Sequence, residues 1–501
     1  MDIGTSSSKG VLVDLTGRVL RSTVREHTVS RPHPGWVEMD GRTWWEEFVS
    51  IARELLGERV VAGAVAGADG EDGAGGRPDV LAVGVSGMGP CVLLTDEHDE
   101  PVRPAILYGV DTRAGEQITR LERELGADEV LRRCGSALTS QAAGAKIAWV
   151  ADEEPDTFAR ARRVFMPASW LARRLTGGYV LDHHSASQCT PLYDVGALDW
   201  YEPWAAPIVR QVELPELRWA GDPAGRVTAE AGRETGLPPG IPVISGTVDA
   251  WSEAVSVGAH GVGDLMLMYG TTMFLVNTVE GQPTHPSLWG TVGALPGTRN
   301  LAGGMATSGA VTGWLRDLCG GTDFTALTEL ADRAGPGANG LLMLPYFAGE
   351  RTPLLDPDAR GTLIGLTLSH GPGDLYRAAL EATAFGVRHN IEVLDAVGGD
   401  VRRIVAVGGG TQGTLWTQIV SDVIQRPQVI PSQTIGASYG AAFLAAQTCG
   451  AHDIADWNPP SQVREPQQRL TSLYDERYGL YRELYERTKD IAHALAATQV
   501  R

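Results

Sequence analysis

Two segments of the 501-residue chain have the same build. Residues 2–14, DIGTSSSKGVLVD, and 267–277, LMYGTTMFLVN, each read as strand, Gly-Thr turn, strand, about 265 residues apart. A repeat at that distance asks for two similarly built halves, each long enough to bury its own core. The Pro/Gly-rich stretch PPGIPVISGTVDAW (238–251) marks the expected break, giving an N-terminal domain over 1–248 and a C-terminal domain over 249–501. Strand and helix patterns alternate from residue 80 onward, so both halves are read as α/β.

Local signals fill in this plan. A strand is expected at 11–14, closed by Thr16-Gly17. The turn after Asp2 needs a strand to enter it, and only Met1 precedes it, so upstream residues are expected. TWWEEFVSIARELL (43–56) has helical apolar spacing with Thr43 as its N-cap. The Gly/Ala/Asp-rich stretch 57–79 reads as a flexible surface insertion, and VLAVGVSG (80–87) as a buried strand ending in a glycine turn. Leu470, Leu473, Tyr474, Tyr478, Tyr481, Leu484 and Tyr485 recur at spacings of three and four, predicting an amphipathic helix over 470–496.

Composition narrows the function classes. With 42 Lys+Arg against 61 Asp+Glu the net charge is −19, which argues against nucleic acid or an anionic membrane as the main partner. A hydrophobic share of 43% is a globular value. The most apolar run, LMLMYGTTMFLV (265–276), is shorter than a bilayer span of roughly 18 to 20 residues. The N-terminus shows no signal-peptide pattern. Cys91, Cys134, Cys189, Cys319 and Cys449 have no CxxC spacing and read as reduced thiols of a cytoplasmic protein.

Three segments carry candidate chemistry. In DIGTSSSKG, Gly4 permits close backbone approach, and Thr5, Ser6, Ser7 and Lys9 offer hydroxyls, amides and a cation. Asp2 can hold Mg²⁺ directly or through water. That set suits nucleotide phosphates, although a Ser-rich hairpin is the plain alternative; the Walker pattern is absent. In VGGGTQGTLWTQIVSDV (407–423), Gly408, Gly409 and Gly410 lie between a strand and a helix, where a phosphate or flat ligand can approach. The run is not GxGxxG, and RPQVIPS (426–432) offers no ribose-binding acid, so a dinucleotide-dependent oxidoreductase is disfavoured. GASYGAAFLAA (436–446) is a small-residue helix expected to pack beneath that glycine site. Asp249 follows an apolar strand (241–244) and starts a helix, which suits either an N-cap or a base accepting a substrate hydroxyl proton.

Other features have plainer readings. His183-His184 lack a third ligand at zinc spacing, and Ser86 lacks the GxSxG hydrolase pattern. AGERTPLLDPDARG (348–361) is read as structural.

Together these segments resemble the FGGY carbohydrate kinases of the actin/hexokinase superfamily, on the xylulokinase-like branch. GTLIGLTLSHGPGDLYRAALE (361–381) fits the family's C-terminal signature throughout. KIAWVADE (146–153) fits the N-terminal signature in Lys146, Trp149 and Asp152-Glu153, while Gln141 and Ala143 depart from it. PGWVEMDGRTWWEE (34–47) is also typical. The resemblance implies a two-domain, ribonuclease H-like α/β fold with ATP and sugar in the interdomain cleft. It implies Asp2 on Mg²⁺, Thr5, Ser6, Ser7 and Lys9 on the ATP phosphates, and Gly270-Thr271 as a second phosphate loop. Gly408, Gly409 and Gly410 would meet the adenosine side, and Asp249 would be the general base. A small-molecule sugar or polyol is the implied partner, and a homodimer is admitted.

The sugar pocket departs from that pattern. Xylulokinases typically carry Gln-Met-His and Trp-Asn-Asp where this chain has Gly87-Met88-Gly89 and Tyr108 to Asp111. Met88, Gly89, Tyr108, Asp111 and Trp251 are the candidate substrate contacts; a surface ion pair of Asp111 with Arg113, and core packing of Trp251, are the alternatives. Glycerol kinases carry an Arg-Glu pair where Gly87 and Gly89 flank Met88. The expected reaction is γ-phosphoryl transfer from ATP to a ketopentose such as D-xylulose. Another pentulose, a hexulose or an alditol stays open, as does a catalytically silent sensor on the same fold.

Overall fold

A computed structural model describes residues 1–57 and 78–499, so nearly all of the insertion expected at 57–79 lies outside the described residues. The chain divides into two compact units. One comprises Met1–Gly258, Thr291–Thr298 and Ile435–Asn458; the other comprises Ala259–Gly290, Arg299–Thr434 and Pro459–Arg501.

The first unit is built on strands β1 (Asp2–Ile3), β2 (Ser7–Val13), β3 (Val19–Glu26), β4 (Ser86–Gly87) and β6 (Thr247–Val248), in the order β6-β4-β1-β2-β3. A short strand β5 (Ala105–Ile106) lies outside this sheet. β1 and β2 form an antiparallel hairpin, with Asp2 opposite Lys9 and Ile3 opposite Ser8. β4 runs parallel to β1 and β6 parallel to β4, so Asp2, Ser86 and Thr247 lie in one row across the sheet. The carboxyl ends of three parallel strands therefore open side by side, roughly 4.8 Å apart per strand.

β2 starts at Ser7, not Val11, because polar and glycine positions share its buried face. Ser8 is buried and donates to Glu47 Oε2 at 2.5 Å, and Gly10 faces Ile51. Helix α1 (Gly41–Leu55) begins two residues before the expected Thr43; Asp40 caps it, accepting from the Arg42 amide at 2.9 Å. Its face of Trp44, Phe48 and Ile51 packs with Ile3 in the core. Helices α2 (Ala143–Glu153) and α3 (Asp249–Ser256) also belong to this unit.

The second unit repeats the plan. Strands β7 (Asp264–Tyr269), β8 (Met273–Val279), β9 (Arg299–Met305), β10 (Arg403–Val407), β11 (Gln428–Pro431) and β12 (Pro460–Arg464) run in the order β9-β8-β7-β10-β11-β12. β7 and β8 form the antiparallel hairpin and β10 is the parallel neighbour, with Met268 beside Val407. Helices α4 (Gly309–Leu318), α5 (Pro372–Ala396) and α6 (Thr414–Ile424) follow. Helix α7 (Ala437–Ala446) returns to the first unit. The C-terminal helix α8 (Thr471–Ala496) buries Tyr474, Tyr478, Tyr481 and Leu484 in the core that holds Phe385 of α5. Among the described residues no helix is long and apolar enough to cross a membrane.

Candidate active site

The row of parallel strand ends assembles the first unit's site. β1 delivers Asp2 and the Gly4–Ser6 turn, β4 delivers Met88 and Gly89, and β6 delivers Asp249. The turn is closed by the Gly4 amide donating to Ser7 O at 3.0 Å; a Cβ on residue 4 would stand 2.9 Å from that oxygen. His27 braces the turn from behind: Nε2 lies 3.0 Å from Gly4 O, and Nδ1 lies 3.0 Å from Glu47 Oε2. Ser6 is exposed and Ser7 lies within β2.

The site is rich in carboxylates. Ser86 Oγ donates to Asp2 Oδ1 at 2.9 Å, yet burial holds the Asp2 carboxyl above its ordinary range. Asp249 is the first residue of α3, with Val248 in the cap position, and its Oδ1 accepts from the Ala250 amide at 2.7 Å. Burial and then the negative charge of Asp2 push its pKa upward. Glu253, one turn further along α3, is pushed up to about 7 by burial and again by Asp2. Lys9 sends its ammonium to Ile435 O at 2.7 Å and offsets part of this charge. Glu253 was legible as a carboxylate four residues after Asp249 on one helix face. His27 and Glu47 carry no sequence signal, because only the fold brings them to the turn.

This donor set suits a hard cation. The Asp2 charge raises the proton affinity of both Asp249 and Glu253, so positive charge beside it is favoured. Among the described residues no group of three or more His, Cys, Asp or Glu side chains forms a metal cage. Mg²⁺ is held in such sites by one or two carboxylates together with phosphate oxygens and water, and Asp2 fits that role.

Tyr108 follows β5. Its hydroxyl lies 3.0 Å from Thr5 Oγ1, and Thr5 Oγ1 lies 3.7 Å from Met88 Sδ. Asp111 is fully enclosed: it accepts from the Val37 amide at 2.6 Å and from Arg113 Nη2 at 2.7 Å. Arg113 also meets Glu38 at 2.7 Å and lies over the Trp36 ring. The ion pair with Arg113, the alternative to a substrate contact for Asp111, is thus an interior one and not on the surface. Trp251 is buried with its ring 3.8 Å from that of His184. His184 bonds Val292 O at 2.7 Å, and burial pushes its pKa down to about 3, so it stays neutral in the core. A Cβ on Gly89 would fall 2.7 Å from Val248 Cγ2.

In the second unit, Gly270 and Thr271 form the β7–β8 turn. Gly270 O accepts from the Gly309 amide at 3.0 Å, and Thr271 O accepts from those of Ser308 and Ala310, so the turn rests on the start of α4. Thr271 is exposed. Gly408 ends β10 at φ +91°, where a Cβ would sit 2.6 Å from Tyr269 O; only glycine fits. Gly409 faces open space and Gly410 packs against Trp416. Both turns leave the same end of two adjacent parallel strands, the arrangement that seats phosphates in α/β folds. Helix α7 packs on α3: Ser252 Oγ donates to Ala437 O at 2.7 Å, and Gly440 lies against Ser252 O.

Residues 1–256 match the model for the FGGY family of carbohydrate kinases, N-terminal domain, and residues 265–449 match that for the C-terminal domain. The chain is 29% identical to the xylulose kinase of Escherichia coli K12, over 97% of this chain and 98% of that relative. It is 30% identical to glycerol kinase 2 of Streptomyces coelicolor, over 97% and 96%. The crystal structure of xylulose kinase from Rhodospirillum rubrum superposes with a TM-score of 0.88 at 31% identity, covering 98% of this chain and 99% of that one. The fold is the two-domain, actin/hexokinase-like α/β architecture of sugar kinases, and the chain belongs to the FGGY family of carbohydrate kinases, as an ATP-dependent, xylulokinase-like sugar kinase.

Proposed function

We propose that the acceptor is a ketopentose such as D-xylulose and that Asp249 is the general base. The observation that carries this is the placement of Asp249 at the end of β6, two strands from Asp2 and beside Met88. A sugar held by Met88, Gly89, Tyr108 and the Asp111 loop presents a hydroxyl to Asp249. As that oxygen forms its bond to the γ-phosphorus, the bond from phosphorus to the β,γ-bridging oxygen breaks, ADP leaves and the proton passes to Asp249. A carboxylate whose pKa is raised by burial is a better acceptor for that proton than an exposed one. Thr5, Ser6, Ser7, Lys9, Gly270 and Thr271 supply donors for phosphate oxygens, and Gly408, Gly409 and Gly410 let the adenosine side approach the backbone. Bound on Asp2, Mg²⁺ would neutralise charge developing on the phosphate oxygens.

The test is ADP release with Mg-ATP across pentuloses, hexuloses, alditols and glycerol, with Asp249→Ala in parallel. The expected result is a preferred ketopentose whose turnover falls about 10²- to 10⁴-fold in the variant. Preference for an alditol or glycerol would overturn the substrate assignment, and wild-type turnover by Asp249→Ala would overturn the base.

A further inference from the structure

The Tyr108-Gly109 backbone is pinned from one direction. Lys146, on α2, is buried and its ammonium donates to Leu107 O and Tyr108 O, both at 2.7 Å. Just before α2, Gln141 Oε1 accepts from the Gly109 amide at 2.9 Å and Ser140 Oγ donates to Gly109 O at 2.9 Å. Four polar bonds from one short segment thus fix three successive peptide units. Gln141 is one of the two residues that depart from the family's signature, and Gly109 leaves the room it occupies: a Cβ there would stand 2.6 Å from Gln141 Nε2. Tyr108 lies in the segment where xylulokinases typically carry Trp-Asn-Asp, and its hydroxyl meets Thr5 at 3.0 Å.

We infer that Lys146 is a positioning residue that, by clamping the Leu107 and Tyr108 carbonyls, holds the Tyr108 hydroxyl on Thr5 and so sets the sugar-side loop and the phosphate turn in one register. The inference rests on the phosphate role proposed for Thr5. A lysine suits the task because its ammonium has three donors and no acceptor, and two of them go to adjacent carbonyls. The Tyr108–Thr5 contact then orients the threonine hydroxyl before nucleotide arrives, and a change at either loop is felt at the other.

The test is a double-mutant cycle on nucleotide affinity, read by calorimetric titration of a non-hydrolysable ATP analogue with Mg²⁺ and no sugar. Tyr108→Phe is expected to weaken binding about three- to tenfold, as for loss of one neutral hydrogen bond, in the wild-type background and not in Thr5→Ala. Lys146→Met is expected to do the same through Tyr108, so that Lys146→Met with Tyr108→Phe is no weaker than either alone. Gln141→Leu, which frees the Gly109 amide, takes the place of Lys146→Met if that variant fails to fold. Effects of Tyr108→Phe that are equal in both Thr5 backgrounds, or absent in both, would overturn the inference. So would wild-type affinity in the Lys146 or Gln141 variant. Because no sugar is present, a chain that turned over no ketopentose would refute the substrate assignment and leave the affinities of this cycle unaffected.

Discussion

Ser86 and Asp2 sit opposite each other on neighbouring parallel strands, and the Ser86 hydroxyl donates to the Asp2 carboxylate at 2.9 Å. A serine that is fully buried on a two-residue strand thereby aims the carboxylate proposed to hold Mg²⁺. Ser86→Ala removes that donor without changing the strand. The expected outcome is a KM for Mg-ATP raised about three- to tenfold, with the KM for sugar near the wild-type value. Steady-state kinetics with each substrate varied in turn would check it; an unchanged KM for Mg-ATP would count against this role.

Gly89 occupies the position where xylulokinases typically carry histidine, and Val248 closes over it. Gly89→His is therefore expected to destabilise the chain by about 1–3 kcal/mol through overpacking and to lower, not raise, kcat/KM for D-xylulose. Thermal unfolding together with the sugar assay would decide. A gain in D-xylulose activity would mean that Val248 yields easily.

Helix α7 crosses the helix headed by Asp249 at Gly440, where a Cβ would lie 1.8 Å from Ser252 O. Gly440→Ala must push the two helices apart. We expect a loss of about 3 kcal/mol or more in stability and a fall in kcat as Asp249 shifts. Denaturant titration and turnover on the same preparation would test it, and wild-type values of both would refute it.

Glu350 is buried in the second unit, where its Oε1 accepts from the Ala306 and Arg351 amides at 2.8 and 2.7 Å. Burial pushes its pKa from the ordinary 4.5 up to about 7. Between those values the folded chain holds a proton that the unfolded chain has released. Its contribution to stability is therefore full below pH 4.5 and is lost as pH rises through about 7. Glu350→Gln, which keeps the acceptor oxygen and cannot ionise, is expected to flatten the decline in Tm between pH 5 and 8. Parallel slopes for the two proteins would mean that Glu350 does not set this pH dependence.

Much of this arrangement is written locally. The hairpin repeat at residues 2 and 267 announces two similar halves because a Gly-Thr turn between apolar runs admits few conformations. Gly408 reads correctly as a backbone requirement because its φ of +91° excludes other residues. The tyrosine stripe of 470–496 is legible because its period matches a helix face. Local pattern points to Thr43 as the helix cap where the structure has Asp40, three residues earlier than the apolar spacing suggests. It also points to Val11 as the start of β2, because a buried Ser–Glu pair does not look apolar.

The class of fold and the family were therefore legible without coordinates, since turns and periodicity are properties of neighbours along the chain. Which residues meet was settled by the packing of the folded chain. Tyr108 reaches Thr5 across 103 positions, Lys146 reaches Tyr108 across 38, and helix α7 comes to lie on α3. Asp111 turns inward as an ion pair and Trp251 as core for the same reason. A side chain's partner is set by strand order and helix packing, which bring together residues that no local pattern relates.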